Sequence, residues 1–144
     1  MCGIAGYIGK KQIGKIAIDK TLGLMKNRGP DYQDWRSFIA NDTNVYLLHS
    51  RLSIVDLDER SNQPISFNGA TLVFNGEIYN YIEVRQELKK QGYVFSTDSD
   101  TEVLLKAYVE YGEDCVQHFN GMWAFAIWDE RNKKLFLSRD RFAE

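Results

Sequence analysis

Seven consecutive residues, Met122-Trp123-Ala124-Phe125-Ala126-Ile127-Trp128, are apolar at odd and even positions alike. Side chains alternate across a β-strand, so a strand with this pattern has both faces removed from water. A polar turn and Leu135-Phe136-Leu137 complete a hairpin. Two sheets packed face to face, with helices on their outer faces, would cover such a hairpin without a βαβ Rossmann order. The expected fold is therefore α+β, a four-layer α-β-β-α sandwich of two mainly antiparallel sheets. With 144 residues and 44% hydrophobic content, the chain suffices for one domain, residues 1–144, with a sizeable core.

The remaining pattern supplies elements for these layers. Short strands are expected over Cys2–Ile8, Asp34–Ala40, Val45–Leu52 and Thr71–Phe74. A helix over about Ile13–Met25 presents Ile13, Ala17 and Leu24 on one face, and Arg28-Gly29-Pro30-Asp31 ends it. Asn80-Tyr81-Ile82-Glu83 offers a capping box for a second helix that stops near Gly92. A third helix follows Ser99, with Val103, Leu104, Ala107, Tyr108 and Tyr111 at three- and four-residue spacing before Gly112. Its apolar stripe is expected to face a sheet.

Charge and motif spacing exclude several function classes. The 18 basic residues are interspersed with 20 acidic ones for a net charge of -2, which leaves no footprint for nucleic acid or an anionic membrane. No run approaches the roughly 20 apolar residues of a membrane span, and the N-terminus lacks a signal peptide pattern, so the expected location is the cytoplasm. There both cysteines stay reduced, Cys115 as core packing, and Asn41-Asp42-Thr43 is a turn rather than a glycosylation site. Gly9-Lys10-Lys11-Gln12-Ile13-Gly14-Lys15-Ile16 nearly spells a phosphate loop, but Ile16 stands where a magnesium-binding hydroxyl is needed. Gly3, Gly6 and Gly9 lack the dinucleotide-binding spacing. His49 and His118 have no cysteine or carboxylate at metal-ligand spacing, so no metal site is expected.

The chemistry centres on Cys2. Once Met1 is removed, Cys2 carries a nucleophile and a free α-amine on one residue, and an amine titrating at about 8 can relay the thiol proton. With two histidines in the chain and neither an evident base, the α-amine gains importance as the general base.

Four blocks occur in order: Cys2-Gly3-Ile4-Ala5-Gly6, Arg28-Gly29-Pro30-Asp31, Arg51-Leu52-Ser53-Ile54 and Asn75-Gly76-Glu77-Ile78-Tyr79-Asn80, followed by Ser99-Asp100-Thr101-Glu102. This succession resembles the class II glutamine amidotransferase domain across essentially the whole chain. Its wording is most similar to the glutamine-hydrolysing asparagine synthetase branch. The resemblance implies the N-terminal nucleophile hydrolase sandwich, in agreement with the layer argument. It implies release of ammonia from glutamine through a thioester on Cys2, with the side-chain amide of Asn75 and the backbone N–H of Gly76 as the oxyanion hole.

By the same resemblance, Arg51 binds the glutamine α-carboxylate, Asp100 binds its α-ammonium, and Glu77 joins them in substrate binding. The bare residues also allow plainer readings: Asn75-Gly76 is a strong turn signal, and Ser99 with Glu102 forms a capping box that does not require Asp100. Arg28–Asp31 resembles a loop beside the glutamine pocket. The partners implied are glutamine and an ATP-dependent synthetase domain, with a homodimer compatible; nucleic acid and membrane are not expected. No cofactor is expected in this domain, ATP and magnesium belonging to the synthetase domain. After Ser138-Arg139-Asp140-Arg141-Phe142 the chain ends at Ala143-Glu144 where the family continues, so it is expected to be truncated and unable to make asparagine alone. A retained Met1 would leave the chain inactive. The competing reading is a non-catalytic glutamine-binding or assembly domain, or an amidotransferase of another pathway.

Overall fold

The computed structural model describes residues 2–53 and 59–142. In chain order the elements are β1 (Gly3–Gly9), α1 (Lys15–Met25), β2 (Tyr32–Ala40), β3 (Thr43–Arg51), β4 (Ile65–Phe67), β5 (Ala70–Ile78), α2 (Tyr81–Lys90), α3 (Asp100–Tyr111), β6 (Gly121–Asp129) and β7 (Lys134–Arg139). Short 3-10 segments occupy Glu59–Ser61 and Gly112–His118. One sheet has the order β1-β3-β2 and the other β4-β5-β6-β7, every neighbouring pair antiparallel.

Strand alternation builds the layers. Val45 and Leu47 of β3 meet Val73 of β5 and Ala126 and Trp128 of β6 between the sheets. Phe38 stacks on Trp128 there, centroids 5.7 Å apart. The alternate residues Tyr46 and Leu48 face outward onto Ile18 and Leu22 of α1. On the other side Leu72, Phe74, Phe125 and Ile127 pack against Val84 and Leu88 of α2 and Val103, Leu104 and Ala107 of α3. The layers run helix, sheet, sheet, helices, which is why the β6 segment is apolar on both faces. Among the described residues no helix is long and apolar enough to cross a membrane.

Three local expectations are corrected. The buried face of α1 is Ile18 and Leu22 with Met25 beside them, whereas Leu24 is 78% exposed and Ala17 is also exposed. Two stripes compete in this helix, and contact with Tyr46 and Leu48 selects the second, each buried branched side chain contributing about 1.5–3 kcal/mol. Asn80 precedes α2 without capping it: its amide donates to the His118 carbonyl at 2.9 Å and accepts the Asn120 N–H at 2.8 Å. Asn75-Gly76 is no turn; it lies inside β5, opposite Ala124 and Trp123 of β6.

At α3 the Ser99 hydroxyl accepts the Glu102 N–H at 3.3 Å, as a cap should. The Glu102 carboxylate reaches past Ser99, however, accepting the N–H groups of Ser96 at 3.0 Å and Thr97 at 2.7 Å and the Lys106 ammonium at 2.6 Å. Burial pushes this carboxyl upward in pKa, but those donors outweigh it and bring it to about 2. Lys106 also lies over the Phe67 and Phe95 rings at 4.8 and 4.6 Å. This buried pair ties the loop before α3 to the helix and so fixes where Asp100 begins.

Candidate active site

The two sheets and the start of α3 deliver the parts of one cavity of about 170 Å³, whose walls include Cys2, Arg51, Gln63, Asn75, Gly76 and Asp100. Cys2 stands one residue before β1, where Ile4 pairs with His49 of β3. Its sulfur accepts the Leu52 N–H at 3.4 Å and lies 3.7 Å from the Leu52 carbonyl, which orients the thiol. Arg51 ends β3 on the face shared by Val45, Leu47 and His49; its Nη1 donates to Asn62 Oδ1 at 2.6 Å. The Arg28–Asp31 loop braces this corner: Arg28 Nε donates to the Cys2 carbonyl at 3.3 Å, and Asp31 accepts the Ser53 N–H at 2.7 Å. A Cβ on Gly29 would fall 2.1 Å from the Ser50 carbonyl oxygen, so only glycine lets the loop approach β3.

The opposite wall is an edge of β5. β4 is short and its pairing ends at Ile65 opposite Leu72, so β5 continues beyond it without a strand on that side. Two side chains take over: Gln63 Oε1 accepts the Phe74 N–H at 2.6 Å, and Asp100 Oδ2 accepts the Ile78 N–H at 3.0 Å. Backbone N–H groups two residues apart emerge on the same edge, so the Gly76 N–H lies between these two and faces the cavity. Asn75, on the face it shares with Val73, lines the same cavity, and its Oδ1 is buried without a partner among the described residues. Gly76 is constrained twice, by φ of +153° and by a Cβ position 2.2 Å from the Met122 carbonyl oxygen.

Electrostatics divide the titratable groups. Burial pushes the Asp100 carboxyl upward, aided by the neighbouring Glu77 and opposed by the N–H bonds from Ile78 and Thr101. A carboxylate desolvated in this way gains from a cation placed against it. His49 is fully buried and neutral: burial lowers its pKa to about 4, with Arg51 adding a smaller push and the Phe74 carbonyl opposing. Cys115, wholly buried in the helix-side core, is pushed up to about 12 by burial and is inert packing, as expected. His118 stacks on Tyr111 at 4.1 Å, away from the cavity. Among the described residues no group of three or more His, Cys, Asp or Glu could hold a metal ion.

The structure brings Cys2, Arg51, Asn75, Gly76, Glu77 and Asp100 to the same cavity, Glu77 exposed at its rim. Ile54, Met1 with the processing expectation attached to it, and Ala143-Glu144 lie outside the described residues. Sequence reasoning missed Asn62, Gln63 and Thr101. Gln63 holds β5 and reaches Thr101 Oγ1 at 3.5 Å, and its one visible signal was the following Pro64, which favours extended backbone at the preceding residue.

Comparison with known proteins agrees with this geometry. The pattern of the glutamine amidotransferase domain matches residues 1–144. Asparagine synthetase [glutamine-hydrolyzing] 3 of Bacillus subtilis is 43% identical over 98% of this chain and 23% of its own length. A putative asparagine synthetase [glutamine-hydrolyzing] 2 of Methanocaldococcus jannaschii is 41% identical over 98% of this chain and 30% of its own. The chain thus spans about a quarter of the length of these curated relatives. The solved glutamine phosphoribosylpyrophosphate amidotransferase of B. subtilis superposes with a TM-score of 0.55 at 25% identity, covering 66% of this chain and 23% of that one. The sandwich is of the N-terminal nucleophile hydrolase type, and the chain belongs to the glutamine amidotransferase domain family.

Proposed function

We propose that the chain performs the glutaminase half-reaction of an asparagine synthetase, releasing ammonia from glutamine for an ATP-dependent synthetase domain. The observation that carries the reading is the convergence on one cavity of a thiol, an arginine, a buried carboxylate and two amide donors. Arg51 clamps the α-carboxylate of glutamine and Asp100 takes its α-ammonium, which compensates the carboxylate for its burial. That leaves the side-chain amide directed at Cys2.

The thiolate attacks the amide carbon, its proton passing to the α-amine of Cys2. The resulting oxyanion is held by the Gly76 N–H and the Asn75 amide, whose nitrogen faces the developing charge. The proton returns to the leaving nitrogen, the C–N bond breaks, and ammonia departs from a γ-glutamyl thioester. Water, deprotonated by the same amine, then attacks the thioester; glutamate leaves and the thiol is restored. ATP and magnesium would be needed where aspartate is activated, not in this domain. Identity to two asparagine synthetases supports aspartate as the ammonia acceptor.

The test is ammonia release from glutamine by processed protein and by Cys2→Ala. Loss of release with retained glutamine binding is expected of the variant. Undiminished release would overturn the assignment.

A further inference from the structure

We infer that His49 is a positioning residue: its bond to the Phe74 carbonyl is the strut that sets the distance between the nucleophile on one sheet and the oxyanion donors on the other. The inference rests on the glutaminase reading for its catalytic consequence, though not for the strut itself.

The two halves of the site belong to different sheets. Cys2 and Arg51 are carried by β1 and β3, Asn75 and Gly76 by β5. Between these sheets the packing is apolar, Val45 and Leu47 against Val73, Ala126 and Trp128. Apolar contact sets a spacing but no direction. His49 lies on the same face of β3 as Leu47 and Arg51, and its Nε2 is 3.2 Å from the Phe74 carbonyl oxygen. A carbonyl accepts, so Nε2 carries the proton and Nδ1 is bare. Nδ1 is buried without a partner among the described residues.

A side chain that leaves one polar atom unsatisfied in an apolar layer is costly there, and leucine or phenylalanine would fill the space without that cost. What histidine supplies in return is one directional bond across the sandwich. It lands on a residue that no strand pairs on that edge: beyond Leu72, β4 no longer flanks β5, so the Phe74 N–H is taken by Gln63 and the Phe74 carbonyl by His49. The residue so clamped immediately precedes Asn75 and Gly76. Ile4, two residues after Cys2, pairs with His49 on β3, so one histidine references both halves.

The decisive comparison is between two amides of different reach. His49→Gln places its donor near the position of Nε2, whereas His49→Asn places it near Nδ1, too short to reach Phe74. Protection from hydrogen exchange of the Asn75 amide, which points to β6, reads the strut directly, without reference to activity. Exchange at this amide should quicken at least tenfold in His49→Asn and stay within threefold of the parent in His49→Gln. At saturating glutamine, kcat for ammonia release should fall about 10- to 100-fold in His49→Asn and recover in His49→Gln, with the glutamine Kd, measured in the Cys2→Ala background, changing less than threefold. Equal exchange in the two variants overturns the strut. Altered exchange with equal kcat, or a loss confined to Kd, overturns its positioning role. Ammonia release by the parent protein tests the glutaminase reading separately.

Discussion

Gly76→Ala puts the geometry of the β5 edge to a quantitative test. An added Cβ would sit 2.2 Å from the Met122 carbonyl oxygen and 2.7 Å from the Trp123 Cα, where ordinary contact begins near 3.4 Å. Both obstacles are backbone of β6, so no side-chain rotation relieves them. The strands must part locally by about 1 Å, an overpacking that costs about 1–3 kcal/mol. The positive φ adds about 1–2 kcal/mol for any residue with a Cβ. Gly92→Ala separates the two contributions, because Gly92 has φ of +96° but nothing within 4 Å of its Cβ position. Urea unfolding should therefore show a loss of about 2–5 kcal/mol for Gly76→Ala and about 1–2 kcal/mol for Gly92→Ala. In protein that remains folded, a displacement of about 1 Å at the oxyanion donor should lower kcat for ammonia release about 100-fold. Gly92→Ala should leave kcat unchanged. Equal destabilisation by the two substitutions, with turnover intact in both, would refute the reasoning.

Arg51→Ala and Asp100→Ala should each weaken glutamine binding by about 1.5–3 kcal/mol in calorimetry. Asn75→Ala should instead raise the barrier to turnover by about 2.7–4 kcal/mol with a smaller change in affinity, and a Kd loss matching that of Arg51→Ala with kcat intact would contradict the oxyanion role. His49 has a folded pKa of about 4, below its ordinary 6.5, so the unfolded chain binds the extra proton first as pH falls. Its contribution is complete above pH 6.5 and is lost through pH 4, about 3 kcal/mol in all; urea unfolding should show the parent losing more stability than His49→Gln across that window. Lys106→Met leaves the Glu102 carboxylate buried without its cation and should cost about 3–5 kcal/mol of stability, readable in the same assay. Iodoacetamide should label Cys2, at the cavity, and spare Cys115, as peptide mapping would show.

The layer order was legible because Met122–Trp128 leaves a strand no exposed face, and burial of both faces is a statement about architecture. The α1 face was not: a stripe through Ala17 and Leu24 fits the helical period as well as one through Ile18, Leu22 and Met25, and only Tyr46 and Leu48 of a distant strand choose between them, with Ile13, which precedes the helix, packing into the cluster they form. Asn75-Gly76 reads locally as a turn, but β6, nearly fifty residues later in the chain, pairs with it and keeps it extended. The candidate site residues were named by motif order, and the fold gathers them around one cavity. Gln63 stands out in no motif, and His49 reads as neither a metal ligand nor an evident base, for a common reason. Each acts on the backbone of Phe74, 11 and 25 residues away, and a backbone partner has no side-chain signature in a sequence.

If Cys2, freed of Met1, is the nucleophile toward the glutamine amide, rapid acid quench during turnover, followed by peptide mass analysis, will trap the thioester. A γ-glutamyl adduct is expected on an N-terminal peptide that begins with Cys2, formed together with ammonia and absent in Cys2→Ala. An adduct on Cys115, or turnover by protein that retains Met1 quantitatively, would contradict this role of Cys2.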